Sequence, residues 1–428
     1  MWTNLKWYLA GAAIILLPVG LRVLTWQRPP VHRASAGDIT AGEQLFTHEW
    51  KENDPLCAGG DGLGPVFNAR SCAACHKQGG IGGGGDNRHN VTTYVVQQPD
   101  GGNQAGVVHA FAVRASFTET LSYFDSALPR TSQPSPESIR NSPKRSLSNG
   151  AVLHLSQRNT PALFGAKLID EIPDRVIVAE ERRQRLRRPL DNAESENSPV
   201  GRAFRLPDGR IGKFGWKAQS ATLAEFVEAA CANELGLGNP RQAQPAPLTS
   251  RDYRAPRADL TQQQCNQITA FCASLAAPIE SPKADSVTQA AAGKKLFHRI
   301  GCADCHTPNM GAAVGIYSDL LLHRMGRELV GGGSYNGPVP PPLPDDPSPG
   351  NSPLPDEWRT PPLWGVADSA PYLHDGRAAT LHDAIVAHEG QGAASAGRYA
   401  TLSKLERDEL LSFLRSLRAP GTTQVAQK

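Results

Sequence analysis

Two short segments carry residues that could do chemistry. Residues 71–76 read SCAACH and residues 301–306 read GCADCH, so Cys72, Cys75 and His76 recur in the same order and spacing as Cys302, Cys305 and His306. Three uses of such a segment compete: half of a zinc site, a redox dithiol, or the attachment point of a c-type haem. A histidine directly after the second cysteine favours haem. The cysteines would form thioethers to the two vinyl groups, and one short helical turn would bring the histidine beneath the iron as its proximal ligand. The repetition points to two covalently bound haem c groups.

The elements that must position these segments repeat as well. AGEQLF at 41–46 precedes the first and AGKKLF at 292–297 the second, while TPALFG at 160–165 and TPPLWG at 360–365 follow them. Helix, CxxCH and TPxLxG thus occur twice in order. This predicts a mainly α chain of two fused cytochrome c-like domains with long loops, over residues 37–280 and 285–420. The first copy is longer: Phe46 and Cys72 stand 26 positions apart, Phe297 and Cys302 only five. The extra segment contains DGLGPVFNA, whose glycines and proline suggest a loop close to the first haem. Ser220 and Thr222 are placed to cap a helix running to about Leu235 and closed by Gly236 and Gly238, and a second helix is expected from about Thr261 to Leu275. Thr401 or Ser403 would cap a third near the C-terminus, where leucines recur at three- and four-residue spacing. The proline-dense residues 337–358 predict an extended surface loop.

The chain has 428 residues, 39% of them hydrophobic, which is enough for real cores. A net charge of +3 from 44 basic and 41 acidic residues gives no nucleic-acid surface, and ERRQRLRRP reads as one solvated helix face. Near the N-terminus Lys6 precedes an apolar run of 15 residues closed by Arg22. Residues 1–36 therefore read as a signal peptide or a short membrane anchor, with Ala34, Ser35 and Ala36 as a candidate cleavage site. Either way the remainder would be exported to the periplasm, soluble or anchored, where disulfides persist. Outside the haem motifs stand Cys57, Cys231, Cys265 and Cys272. Cys265 and Cys272, seven apart on a helix, would lie about 10 Å apart, too far for a bridge. Two disulfides would then join Cys57 and Cys231 to that pair; otherwise all four are buried thiols.

RTPPLWGVADSAPYLHDGRAATLHDAI, following a CxxCH, resembles the bacterial di-haem cytochrome c peroxidase superfamily. LGPVFNARSCAACH, RNTPALFG, EIPD, FGWKA, ANELGL and YSDLLLH resemble its branch of di-haem oxidoreductases, sometimes labelled thiol oxidoreductases. The resemblance covers most of residues 40–420. It implies an electron-carrying haem in the C-terminal domain, fed by a small redox protein, and a haem in the N-terminal domain that meets hydrogen peroxide. The peroxidases place a methionine on the electron-transfer haem fourteen residues after the histidine of their PYxHDG motif; here that position, counted from His374, is His388. A bis-histidine iron, His306 with His388, would have a lower potential than histidine with methionine. Met310, Met325, His323 and His382 are its rivals. His374 is expected to order its loop. For the first haem, His89 or His109 could be a distal ligand, or the iron is open. The superfamily's peroxidases use a distal glutamate as proton-moving base, which makes Glu171 the candidate, with Asp170 and Asp174 in reserve; a carboxylate here could instead cap the helix starting near Asp174. Trp216, Trp50 and Trp364 qualify by type as electron relays. Relatives also hold calcium between their domains and pair as dimers, and no stretch here establishes either.

Two functions compete. One is an exported oxidoreductase that reduces hydrogen peroxide or uses it to oxidise another molecule, with electrons entering at the C-terminal haem. The other is a di-haem electron-transfer protein in which both irons are capped by side chains.

Overall fold

In the computed structural model, which describes residues 34–141, 143–187, 199–250, 252–332 and 352–420, residues from Ser35 onward belong to one contact-dense unit. The helices that frame the sites are α1 (Ala36–Thr47), α2 (Cys72–Cys75), α3 (Ala166–Asp170), α4 (Asp174–Arg187), α5 (Leu223–Leu235), α6 (Gln262–Ser274), α7 (Val287–Arg299), α8 (Leu381–Val386) and α9 (Lys404–Ser416). Thr222 caps α5 and Gly236, at φ 62°, ends it; Thr261 caps α6 and Ser403 caps α9. These ends lie where the capping residues and the terminal glycine place them.

The two AGxxLF segments have one packing role. α1 packs on α6, and α7 packs on α9. A Cβ at Gly42 would fall 1.9 Å from Gln267 O, and one at Gly293 would fall 1.9 Å from Glu409 O. Only glycine allows backbones to meet this closely. One turn on, Phe46 lies 5.0 Å from Phe271 and 6.1 Å from the His76 ring, while Phe297 lies 5.3 Å from Phe413 and 6.3 Å from the His306 ring, centroid to centroid. The sequence repeat is therefore a repeat of helix crossing and histidine support. Gly293→Ala is expected to destabilise the fold by about 1–3 kcal/mol through overpacking, read as a lower melting temperature; an unchanged melting temperature would show that the crossing can open.

The TPxLxG segments meet each other. A Cβ at Gly165 (φ 72°) would lie 2.5 Å from the Trp364 ring, and one at Gly365 (φ 68°) would lie 3.6 Å from the Phe164 ring. Each glycine thus receives the aromatic side chain of the other copy.

The expectation of a mainly α chain does not stand, since the described residues are 37% helical with 14% strand. The difference lies between the first CxxCH and TPALFG. There β1 (Val91–Gln97), β2 (Asn103–Val108), β3 (Lys144–Ser146) and β4 (Val152–Arg158) form an antiparallel sheet in the order β2-β1-β4-β3. β1 and β4 pair along their whole length, from Val91 opposite Arg158 to Gln97 opposite Val152. Val91–Gln97 is rich in β-branched residues, which suit a pleated, buried strand. Tyr94, Val96, Val108, Leu121, Leu153 and Leu155 build a separate core around the sheet. Its end delivers Arg158 and Asn159 to the wall of the sites described below.

The apolar N-terminal run, through residue 33, and residues 333–351 of the proline-rich segment lie outside the described residues. Among the described residues no helix is long and apolar enough to cross a membrane. Cys57, Cys231, Cys265 and Cys272 are not bridged; the last three are buried.

Candidate functional site

Each CxxCH is a single turn that turns its histidine inward. Ser71 Oγ accepts from Ala74 N (3.2 Å) at the start of α2, and His76 N donates to Cys72 O (3.0 Å) at its end. In the second copy Gly301, at φ 89°, starts a 3-10 turn over Cys302–Asp304, and His306 N donates to Cys302 O (2.9 Å). His76 Nδ1 donates to Gly83 O (3.1 Å) and His306 Nδ1 to Tyr317 O (2.9 Å). A carbonyl on Nδ1 fixes the tautomer and leaves the Nε2 lone pair for a metal. Burial lowers both imidazoles to about 4, so both stay neutral donors at ordinary pH. Burial also pushes the Cys72, Cys75 and Cys302 thiols up to about 12. Redox-active dithiols are activated in the opposite direction, which disfavours the dithiol reading. Among the described residues one group of three metal-capable side chains converges, Cys305, Asp319 and His323, and it lacks His306.

A cavity opens beside each motif. The larger, about 300 Å³, is lined by Cys302, Cys305, His306, Met325, His374 and His388 among others. The His388 ring lies 6.5 Å from the His306 ring, centroid to centroid. Two metal–imidazole bonds of about 2 Å, plus about 1 Å from each nitrogen to its ring centre, separate two axial histidines by roughly 6 Å. His388 Nδ1 donates to Ala384 O (2.7 Å), which again leaves Nε2 free. The rivals fare differently. Both nitrogens of His323 are engaged, by Gln391 Oε1 and Asp319 Oδ2 (2.8 Å each). His382 binds the Tyr399 hydroxyl (2.8 Å), and Met310 is buried outside the cavity. Met325 lines the same cavity as His388. His374 stacks on Trp358, with ring centroids 3.6 Å apart, and its carbonyl accepts from Asn159 N (2.7 Å).

The smaller cavity, about 140 Å³, is lined by Cys72, Cys75, His76, His89, Glu234 and Trp216 among others. His89 is held through Nδ1 by Asp86 Oδ1 (3.0 Å). His109 is not at the cavity: Glu119 Oε2 (2.9 Å) and Asn233 O (3.0 Å) occupy both its nitrogens.

Glu171 is a correction. It is the exposed C-cap of α3 and lines neither cavity. Its two reserves tie elements together, Asp170 accepting from Leu223 N (3.0 Å) and Asp174 from Ile211 N (3.1 Å). The carboxylate that reaches the cavity beside His76 is Glu234, whose Oε2 accepts from Asn68 Nδ2 (2.8 Å). Its signal is periodic. Leu223, Val227, Cys231 and Glu234 all line the cavity and form one stripe of α5 at helical spacing, so an acid stands on an otherwise apolar face.

Asn159, Thr160, Pro161, Leu163, Gly215 and Trp216 line both cavities and, with Leu223 and Phe226, form their common wall. Trp216 is fixed there by its indole N–H donating to Asn159 O (2.9 Å). Trp364 lines only the larger cavity, and Trp50 is core, edge-on to His48. The donor set of CxxCH turns, Nδ1-anchored histidines and paired cavities fits two haem groups.

Residues 207–417 match the family model described as "Di-haem oxidoreductase, putative peroxidase". No curated protein matches the sequence. Among solved structures, the chain is similar to a MauG-like protein associated with microbial copper homeostasis (17% identity, 91% of each chain covered, TM-score 0.37). It is also similar to hydrazine synthase of Kuenenia stuttgartiensis (17% identity, 61% of this chain and 73% of that one, TM-score 0.35). Likenesses at this level say nothing further about this chain.

Proposed function

We propose that the chain, whose residues 207–417 match the di-haem oxidoreductase family model, is a di-haem peroxidase-like oxidoreductase, an exported, periplasmic enzyme that reduces hydrogen peroxide or uses it to oxidise another molecule. Haem c would be attached at Cys72 and Cys75, with His76 as ligand, in residues 37–280. A second would be attached at Cys302 and Cys305, with His306 and His388 as ligands, in residues 285–420. Residues 1–36 would direct export or anchor the chain.

One observation carries this reading: the two sites are unlike. His306 faces a second anchored imidazole at ligand spacing, whereas His76 shares its cavity with a carboxylate. Bound haem iron would supply one-electron transfer at both sites and peroxide binding where a coordination position is open. The chain's own residues do the rest. Glu234 would accept a proton from one oxygen of hydrogen peroxide held in the cavity and return it to the other, which leaves as water when the O–O bond breaks with electrons supplied by the haems. Asn68 orients the Glu234 carboxylate. Trp216, in the shared wall, would offer a protein route for electrons from the C-terminal site, where a small redox protein would deliver them.

His89 favours the alternative, since a histidine in the first cavity could cap that iron. Steady-state peroxide consumption with a reduced small cytochrome as donor separates the two. Turnover is expected from the half-reduced protein; a protein with full haem content that consumes no peroxide is an electron carrier.

A further inference from the structure

Three cations are buried in and beside the shared wall, and among the described residues no carboxylate is in ion-pair contact with them. Arg158 and Lys217 line the smaller cavity, beside His76, and Arg359 lines the larger, beside His306, each less than a tenth exposed. None forms an ion pair among the described residues. Lys217 Nζ donates to Leu354 O (3.0 Å), Pro355 O (2.8 Å) and Glu357 O (2.5 Å), and Arg158 donates to Gln157 O and Gly332 O (2.9 Å each). Arg359 Nε donates to Gly215 O (2.8 Å) and Nη1 to Thr360 O (3.4 Å), while Nη2 makes no hydrogen bond among the described residues. These bonds satisfy donors without cancelling charge.

The nearby acids are already taken. Asp375 pairs with Arg377 (2.9 Å), Asp319 with His323 (2.8 Å), Asp356 with Arg324 (3.0 Å) and Glu357 with Arg202 (2.7 Å). What the cations have instead is an aromatic face: Lys217 Nζ lies 3.6 Å, and the Arg158 guanidinium 4.6 Å, from the Trp358 ring centre. Burial lowers Arg158 to about 9 and Arg359 to about 10, outweighing the opposing attraction of Asp375 and Asp319 respectively. A buried charge is ordinarily paired. Two cavities edged by three cations that form no ion pair among the described residues call for anions that belong in the cavities.

We propose that Arg158, Lys217 and Arg359 are the seat of the carboxylate substituents of the two cofactors, the propionates of haem. The inference rests on the di-haem reading and adds an orientation to it. Four carboxylates, two from each haem, would turn toward the shared wall against three positive charges. The acidic edges of both groups would then converge on Trp216, whose carbonyl accepts from Arg359 N (2.9 Å) and whose indole is tied to Asn159. Electrons crossing between the groups would enter and leave at these edges. The same charge makes this wall a poor seat for calcium.

The test uses the holoprotein, with haem content assayed on every sample and each haem titrated spectroelectrochemically. Removing a cation beside a haem favours its ferric state. Arg359→Met is expected to lower the reduction equilibrium constant of the C-terminal haem at least tenfold, which is 59 mV for one electron, with a smaller effect on the other haem. Lys217→Met is expected to do the reverse, and Arg359→Lys should restore most of the loss. Full haem content with both equilibria unchanged overturns the proposal, as do equal shifts at both haems, which mark a general packing role. If Arg359→Met does not accumulate, the propionate-bending resonance Raman bands of the wild type decide. They should be insensitive to pH through the range where a free propionate titrates, and a band that titrates overturns the proposal. A wild type lacking two haems would instead sink the di-haem reading itself.

Discussion

Glu234→Gln is expected to lower the kcat of peroxide reduction by roughly 10²–10⁴-fold, the usual worth of a positioned general acid–base group, with haem content unchanged. The substitution keeps the shape and an oxygen for Asn68 Nδ2, which now lies 2.8 Å from Oε2, but it removes the capacity to take a proton. The loss should therefore fall on kcat, with KM for peroxide little altered. Glu171→Gln, at the exposed end of α3, should leave turnover within about twofold, in line with the small effect of a surface change. Initial rates over a peroxide series check both variants. Equal rates in wild type and Glu234→Gln would make Glu234 a packing residue and reopen the search for the base.

His388→Met is expected to raise the reduction potential of the C-terminal haem by on the order of hundreds of millivolts, because a thioether favours ferrous iron where imidazole favours ferric. His388→Ala should open that iron and convert its ferric signal from low to high spin. The geometry behind this is the 6.5 Å between the His306 and His388 rings, each with Nδ1 held by a backbone carbonyl. Met325 provides the internal check. It lines the same cavity, and a Cβ at Gly392 would lie 3.1 Å from His388 Cδ2 and 3.3 Å from Met325 Cε, so the two side chains are close neighbours. A low-spin signal that survives His388→Ala would assign the ligand to a neighbour such as Met325.

How much of this can be read in the sequence depends on how local the physics is. The proposed haem attachment rests on six consecutive residues, and the structure adds only the carbonyls that set the histidine tautomers. The AGxxLF repeat is legible as a repeat, but why glycine stands in it is not: Gly42 and Gly293 answer to Gln267 and Glu409, more than a hundred residues away. The sheet over residues 91–158 has a signal, the β-branched run of Val91–Gln97, which the helical haem-flanking segments outweigh in a reading organised around the cofactors. Glu171 and Glu234 show the limit most plainly. Nearness to TPALFG in sequence selects the first, while the fold brings the second to the cavity on α5, where its place in the stripe from Leu223 is the available clue. Arg158, Lys217 and Arg359 look like ordinary charges until the fold shows them buried without an ion pair among the described residues.

The central claim is that one iron is capped by two histidines while the other offers an open position beside Glu234. Electron paramagnetic resonance of the purified protein, fully oxidised and then half-reduced, with haem assayed on the same sample, tests it directly. Two haems per chain are expected, with a low-spin ferric signal from the C-terminal site and a high-spin ferric signal from the other, present at the outset or emerging on half-reduction. Two low-spin signals, with no high-spin signal in either state, would mean that both irons are capped and would contradict the claim.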